Sequence, residues 1–196
     1  MMDLDDNCYQ TPTDCGCEKP LPDWWKSAKH CHLVADPDIK EAFTGTFYAQ
    51  VRECDNPKTT TVIDVDDKWL VDIHIEVSGR LTNIWCGHWC ISACLESMCG
   101  GKTYRFPRDL NDDPPGYCCS LVDIDQGTYD YEIAICVPAG KVKQDECGSL
   151  YELTVIVTAL GEKQYKKGDP CDPGTYHPFG IAGACEVAHL MFYEGV

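Results

Sequence analysis

The sequence predicts an all-β fold, an antiparallel β-sandwich preceded by an irregular, cysteine-rich N-terminal arm. Three observations lead to this prediction. Short segments with alternating apolar residues recur from about residue 43, turn-forming residues separate these segments, and the chain contains 15 cysteines in 196 residues. Short strands of β-branched and aromatic residues at such spacing are typical of sandwiches and barrels. An Ig-like and a jelly-roll-like arrangement both stay open, because the Cys–Trp–Cys spacing of an immunoglobulin domain is not evident.

The first forty residues differ in composition from the rest of the chain. They contain four prolines and four cysteines, and they show no sustained period of 2 or 3.6 residues. We therefore predict an extended arm over residues 1–40 and a β-sandwich domain over residues 41–196. A helical turn over residues 24–30 would be capped by Asp23. The adjacent Trp24 and Trp25 would be costly to leave in water, so the arm should dock on the body or on a neighbour.

Alternation assigns one face of each predicted strand to the core. In WLVDIHIEVSG, the odd-numbered positions from Trp69 are apolar and the even-numbered positions are mostly polar, which indicates a strand with one buried face. FTGTFYAQVREC, YDYEIAICVPAG and LYELTVIVTAL show the same pattern, and CEVAHLMFYEGV supplies a last strand. The predicted inward residues are Phe43, Phe47, Ala49 and Val51; Trp69, Val71, Ile73, Ile75 and Val77; Tyr129, Tyr131, Ile133, Ile135 and Val137; and Tyr151, Leu153, Val155 and Val157.

The segment WCGHWCISACLESMC, residues 85–99, allows three interpretations. A helix would place Cys86, Cys90 and Cys94 on one face. A metal site would need sulfurs roughly 3.8 Å apart, whereas same-face residues of a strand stand roughly 6.8 Å apart. We favour a strand that forms a hairpin with the preceding one, because the surrounding segments alternate in the same way. Its inward residues are Trp89, Ile91, Ala93 and Leu95.

Disulfides are the first interpretation of the cysteine content, since such a density is rare in a reducing cytosol unless metal is bound. The odd number leaves at least one thiol free or linked to another chain. Cys90, Cys94 and Cys136 fall on strand faces away from the apolar stripe, and we expect the arm to supply sulfurs to that side. Cys118 and Cys119 point in opposite directions if they lie in a strand, so their partners should differ. The disulfide candidates are Cys8, Cys15, Cys17, Cys31, Cys54, Cys86, Cys90, Cys94, Cys99, Cys118, Cys119, Cys136, Cys147, Cys171 and Cys185.

Charge and hydropathy argue against a nucleic-acid partner and against a transmembrane helix. The net charge of −16 argues against nucleic acid, because phosphate binding needs clustered basic residues. No apolar run approaches the roughly 20 residues of a transmembrane helix. Strong acidity instead favours a cationic partner or Ca²⁺.

The spacing of acidic residues allows two Ca²⁺ loops, and a cluster of histidines and cysteines allows a zinc site. Asp109, Asn111 and Asp113 have the alternating spacing that gathers oxygen ligands in calcium loops, and Asp123 and Asp125 form a second acidic loop. Turn-forming aspartate explains both loops equally well. A zinc knot formed by His30, Cys31 and His32 with Cys15 and Cys17 is a weaker alternative, because adjacent residues rarely bind one ion.

The expected function follows from these features. The chain lacks the GxSxG, P-loop, HExxH and GxGxxG motifs, so we expect no enzyme and no required cofactor, with Ca²⁺ as an optional ligand of the acidic loops. We expect a disulfide-stapled structural or interaction protein at an extracellular or cell-surface location, or in the cytosol of a hyperthermophile. In a more specific version of this hypothesis, the protein is a self-assembling subunit of a filament or surface layer. Its arm contacts a neighbouring subunit, and its odd cysteine forms an interchain disulfide. The alternative is a Ca²⁺-dependent surface or carbohydrate-binding domain.

Overall fold

The computed structural model shows two antiparallel sheets packed face to face, as the sequence predicts. It describes residues 15–80, 87–106, 120–125, 128–143, 149–161 and 177–195. Within these residues no helix is long and apolar enough to cross a membrane. The strands are β1 (Lys29–His32), β2 (Val34–Ala35), β3 (Thr44–Glu53), β4 (Val62–Asp64), β5 (Trp69–Ser78), β6 (Gly87–Ser97), β7 (Tyr104–Phe106), β8 (Ser120–Asp125), β9 (Thr128–Val137), β10 (Leu150–Gly161) and β11 (His177–Tyr193).

The two sheets have different strand orders. In the first sheet the order is β1-β3-β5-β9-β8, and every neighbouring pair is antiparallel. In the second sheet the order is β2-β11-β10-β6-β7, and β4 pairs in parallel with β11. The longest ladders join β10 to β11 and β10 to β6. Non-local pairing therefore holds each sheet together.

The core lies between the two sheets and contains the residues that alternation assigns to it. The side chains of Trp69, Ile73 and Ile75 of β5 face those of the second sheet and are almost completely buried. The predicted inward residues of β3, β6, β9 and β10 also belong to this core, with Tyr131 packed at its margin. The side chain of Tyr129 lies outside the described part. Burial of large apolar residues from both sheets is the main source of stability in such a sandwich.

The segment at residues 85–99 contains a strand, but the predicted hairpin is wrong. β6 occupies residues 87–97 and pairs with β10 and β7, all in the second sheet, whereas β5 lies in the first sheet. The chain thus crosses from one sheet to the other between β5 and β6. Alternation shows which side of a strand faces the core, and strands of both sheets show the same alternation, so it does not identify the partner strand.

The predicted arm is more regular than its composition suggests. Trp24–Ser27 form a 3₁₀-helix, and residues 29–35 contribute one strand to each sheet, β1 beside β3 and β2 beside β11. Asp23 does not cap the helix with its side chain; it adopts a left-handed conformation, and its carboxylate forms an ion pair with Lys26 at 2.9 Å. Part of the arm is therefore integral to the sandwich.

The chain crosses between the sheets at Leu33, which lies between β1 and β2. Close to this crossing, Cys31 of β1 forms a disulfide with Cys185 of β11, so the two sheets are covalently joined. Gly183 of β11 makes the close approach possible. A Cβ atom at this position would lie 2.8 Å from Phe47 Cε1, 2.9 Å from the His32 carbonyl oxygen and 3.0 Å from Leu33 Cδ2. These contacts leave no room for any side chain.

We predict that Gly183→Ala destabilises the protein by about 1–3 kcal/mol, because overpacking forces the crossing away from β11. Urea unfolding measures this difference. Ala184→Gly, at the neighbouring exposed position, is the matched control and should cost no more than about 1 kcal/mol. Equal stability of Gly183→Ala and the parent protein would contradict the described packing.

Candidate functional site

The N-terminal segment from Cys15 to Ala28 covers the outer face of the first sheet. Cys15 is bonded to Cys136 of β9, and Cys17 is bonded to Cys54, which directly follows β3. The backbone N–H of Glu18 donates to the Cys54 carbonyl at 3.1 Å. The four sulfurs surround Leu70 and Ala134, which form a second small apolar cluster on this side of the sheet. This segment is called the cover below.

Two tryptophans complete the cover. Trp24 is buried, and its ring meets the Trp25 ring edge to face with centroids 6.3 Å apart. Trp25 stacks on the imidazole of His74 at 4.2 Å with an interplanar angle of 8°. The tryptophan pair therefore docks on the body of the same chain, which is one of the two outcomes expected from the sequence.

The cover buries polar residues on the outer face of β5. Alternation predicts that Asp72 and His74 lie on the side away from the core, and they do, but only 1% and 2% of their surfaces are exposed. A buried charge or imidazole must find partners within the protein, because burial without them costs several kcal/mol. Their partners define two adjacent polar clusters.

The first cluster surrounds the carboxylate of Asp72. Arg52 Nε donates to Asp72 Oδ2 at 2.6 Å, Arg52 Nη2 donates to Oδ1 at 3.4 Å, and Gln50 Nε2 donates to Oδ2 at 3.2 Å. The Thr59 hydroxyl donates to Gln50 Oε1 at 2.7 Å and orients the amide. Burial raises the pKa of the Asp72 carboxyl, and the hydrogen bonds and charge of Arg52 oppose that rise. These hydrogen bonds satisfy the Asp72 carboxylate, whereas within the described residues the Nη1 atom of the buried Arg52 guanidinium has no hydrogen-bond partner.

The second cluster surrounds the His74 imidazole. Its Nε2 atom lies 3.4 Å from Glu76 Oε1, and its Nδ1 atom lies 3.9 Å from Glu132 Oε1. The register places His74 opposite Glu132 and Glu76 opposite Asp130 on β9. Nitrogen and oxygen atoms of His74, Glu76 and Asp130 lie within 4.8 Å of one another. The cluster thus combines one imidazole with three carboxylates.

Hydrogen bonds from β3 orient one member of this cluster. The Tyr48 hydroxyl donates to Glu76 Oε2 at 3.1 Å, and the Thr46 hydroxyl donates to the same oxygen at 3.5 Å. The other carboxylate oxygen, Oε1, is the one that faces His74. Burial, together with the charges of Glu76 and Asp130, raises the pKa of Tyr48. The site therefore has a negative potential.

A further group of possible metal ligands lies on the outer face of the second sheet. It contains Glu152, Glu186 and His189, whose ligand atoms also lie within 4.8 Å of one another. His189 is 49% exposed, and its Nε2 atom lies 3.4 Å from Glu186 and 3.7 Å from Glu152. Exposed ion pairs of this kind contribute little to stability and are common on acidic surfaces.

The predicted cysteines fall into three groups. Cys15, Cys17, Cys31, Cys54, Cys136 and Cys185 form the three disulfides described above, and Cys99 is also disulfide-bonded. Cys90 and Cys94 lie on the outer face of β6. Contrary to prediction, Cys94 keeps its thiol, because the cover lies on the other sheet and cannot reach it. Cys8, Cys86, Cys118, Cys119, Cys147 and Cys171 lie outside the described residues.

Cys94 is a poorly reactive thiol. It is buried, and its Sγ atom lies 3.7 Å from Glu96 Oε1. Burial raises the pKa of the Cys94 thiol, and the negative charge of Glu96 adds to that rise. The charge and hydrogen bond of Arg105 oppose this rise in pKa. The thiolate is the nucleophile in disulfide exchange, and the net effect of the environment disfavours it.

The described residues do not form any of the predicted metal sites. Asp109, Asn111 and Asp113 lie outside the described residues. Asp123 and Asp125 lie in β8, opposite Asp130 and Thr128 of β9, and not in a loop. The zinc knot at residues 30–32 is wrong, because Cys15, Cys17 and Cys31 are all bonded to other cysteines.

Sequence reasoning missed both polar clusters on the covered face. A signal was present, since Asp72, His74 and Glu76 alternate within a strand of otherwise apolar residues, and Arg52 interrupts another such strand. That pattern is the same for a solvated face and for a covered one. Only the position of the cover distinguishes the two.

Comparison with known proteins gives no further guidance, since no family model, curated protein or solved structure matches the chain at a significant level. Its function therefore has to be argued from the covered face and the disulfides.

We predict that Arg52→Met costs about 3–5 kcal/mol at neutral pH, because it leaves the Asp72 carboxylate buried without a cation. The paired change Arg52→Met with Asp72→Leu should restore most of that loss. Lys26→Met, which breaks the exposed ion pair with Asp23, is the control and should cost less than about 1 kcal/mol.

The pH dependence of this variant follows from the raised pKa of Asp72. A carboxyl whose pKa is higher in the folded state binds a proton on folding, so its ionisation destabilises the protein as the pH rises above the unfolded value. Without Arg52 the pKa rises further. The loss measured by urea unfolding should therefore be largest near neutral pH and should shrink on acidification, and a pH-independent loss would be inconsistent with this assignment.

Proposed function

We propose that the protein is a non-enzymatic, disulfide-stapled structural or interaction module that works outside the reducing cytosol, at an extracellular or cell-surface location. The observation that carries this proposal is the attachment of the N-terminal segment to both sheets. Three disulfides join Cys15, Cys17 and Cys31 to the sandwich, across sequence separations of 121, 37 and 154 residues respectively.

The cover depends on these bonds more than a core strand would. It is short, it includes a single turn of 3₁₀-helix, and it buries little apolar surface beyond Trp24 and its sulfurs. Cross-links that close long loops remove conformational entropy from the unfolded chain and stabilise by about 2–4 kcal/mol each. Such bonds persist in oxidising compartments, where glutathione and thioredoxin do not reduce them.

The chemistry of the covered face also supports a structural role. Arg52 and Asp72 are held together under the cover, and Gln50 and Thr59 complete the same network. Hydrogen bonds among these side chains compensate for the burial of the Asp72 carboxylate, which supports a structural role for the network.

We predict that reduction of the native protein loosens the cover. Trypsin should then cleave after Lys26, and urea unfolding should show a loss of stability. Replacing both Cys17 and Cys54 by alanine should cost about 2–5 kcal/mol and expose the same cleavage site without reductant. Cys94→Ala is the matched control and should leave both the cleavage pattern and the response to reductant unchanged.

A native, unreduced protein in which every cysteine is titratable would refute the proposal. Resistance of Lys26 to trypsin after full reduction would instead show that the cover docks without its disulfides.

Self-association is a finer part of the proposal, and we place it on the outer face of the second sheet. Val62, Leu150 and Met191 lie there on adjoining positions of β4, β10 and β11, and Met98 adjoins them in the turn that follows β6; each is between 41% and 51% exposed. This group is called the apolar row. The described part of the cover lies on its own chain, so it does not provide the contact with a neighbour that the sequence suggested.

A second copy of this chain is the partner that fits the apolar row best. A two-fold contact sets the row against itself, so that apolar side chains meet apolar side chains. The odd number of cysteines, 15 in each chain, is also compatible with a link between two copies. Two chains of net charge −16 repel each other, and salt weakens that repulsion.

We predict that sedimentation velocity detects oligomers whose population grows with protein concentration and with added salt. Met191→Glu should weaken the association at least tenfold, because it places a charge within the apolar row. Leu21→Glu, an equally exposed leucine on the cover, should leave it unchanged. A monomer at all concentrations and salt levels would end this part of the proposal and leave the disulfide-stapled module intact.

A further inference from the structure

Four side chains on the covered face form two neighbouring cross-strand pairs. His74 of β5 lies opposite Glu132 of β9, and two residues along the strand Glu76 lies opposite Asp130. Directly opposed side chains have Cβ atoms about 4.5–5.5 Å apart, and like charges at such positions destabilise a sheet. The Glu76–Asp130 pair therefore gains from a cation between the two carboxylates.

The imidazole of His74 is placed to share that cation. Its side chain is 3% exposed, and within the described residues its Nδ1 atom has no hydrogen-bond partner. The two ring nitrogens face different carboxylates, Nε2 towards Glu76 and Nδ1 towards Glu132. A histidine that binds a metal through one nitrogen typically donates its other N–H to a carboxylate. Glu132 Oε1, 3.9 Å from Nδ1, is close enough to accept that hydrogen bond after a small shift of the side chain.

We propose that His74, Glu76 and Asp130 bind a divalent first-row transition metal ion, with Zn²⁺ as the representative. His74 Nε2, Glu76 Oε1 and one carboxylate oxygen of Asp130 are the ligands. Glu132 accepts the Nδ1 hydrogen of His74 and is a positioning residue. The mixed nitrogen and oxygen donors favour such an ion over Ca²⁺, which prefers six to eight oxygen ligands.

The dimensions of the cluster fit this assignment. Zinc bonds of about 2.0–2.2 Å to nitrogen and oxygen place the ligand atoms of a tetrahedral site about 3.3 Å apart. The three ligand atoms now lie within 4.8 Å of one another, so only a small adjustment is needed. Glu76 and Asp130 are half-buried, which leaves their side chains room for that movement.

The surroundings of the cluster orient its members and admit an ion. Hydrogen bonds from Tyr48 and Thr46 occupy Glu76 Oε2, so Oε1 stays directed at His74. Trp25 covers one face of the imidazole and keeps water from it. Thr46 and Glu76 also line a surface groove of about 410 Å³, so the Glu76 side chain is accessible from that groove.

The exposed group at Glu152, Glu186 and His189 provides an internal comparison. It offers the same donor types, but its histidine is 49% exposed, and in the part of the chain that the structure describes no tryptophan stacks on the ring. Ordering three mobile exposed side chains around one ion costs more conformational entropy than closing the His74 cluster. Substitutions in this group therefore serve as controls.

Isothermal titration of Zn²⁺ into the chelator-treated, disulfide-intact protein tests the proposal. The parent protein should bind one ion at this site. Asp130→Asn should lose that binding, Glu132→Gln should weaken it about 10–100-fold, and Glu186→Gln should leave it unchanged. A tenfold excess of Ca²⁺ should not displace the ion. Circular dichroism and urea unfolding without metal establish that each variant folds.

Co²⁺ provides a second readout that reports where the ion lies. Bound Co²⁺ should quench the fluorescence of Trp25, which is stacked on the ligating ring, and Trp25→Phe should abolish this quenching while binding persists. An intense thiolate-to-metal absorption band would instead assign the ion to a cysteine. That band, absence of Zn²⁺ binding by the parent protein, or undiminished binding by Asp130→Asn would overturn the proposal.

Discussion

Burial of both faces of β5, the central strand of the first sheet, is the constraint on which the rest of the structure depends. An antiparallel sheet in a sandwich ordinarily has one face in the core and the other in water. Here β5 is buried along nearly its whole length, by the second sheet on one side and by the cover on the other. The polar groups on the outer face of β5 therefore need hydrogen-bond and charge partners within the protein, and the cover has to be held in place.

The two requirements are met by different kinds of chemistry. Hydrogen bonds and charge join Arg52 to Asp72 and satisfy the buried carboxylate, but a buried ion pair contributes little net stability, because desolvation offsets much of the attraction. The disulfides at Cys15 and Cys17 supply the attachment instead. The polar network thus compensates for the burial of the carboxylate, and the covalent bonds hold the cover in place. His74 contributes to both the docking of the cover and the pairing of buried polar groups. Its ring stacks on Trp25 of the cover, while its nitrogens face carboxylates.

Local periodicity predicted the fold class and most of the core, because a strand in a sandwich must present apolar side chains at every second position. It placed Trp69 and Trp89 correctly, although these residues belong to different sheets. It could not predict that β5 and β6 separate, since the choice of partner strand depends on contacts far along the chain. For the same reason it gave the outer position of Asp72 and His74 but not their burial. The pairing of Cys31 with Cys185 likewise depends on the completed sandwich.

The positions of the disulfides along the chain impose an order on its maturation. A ribosome makes the N-terminus first, so Cys17 meets its partner Cys54 after 37 residues, whereas Cys15 and Cys31 wait for 121 and 154 residues respectively. During that interval the early thiols are exposed to every cysteine made in between. A cell that produces this chain therefore gains from an isomerase that corrects premature bonds, and the last native bond closes only when β11 has emerged.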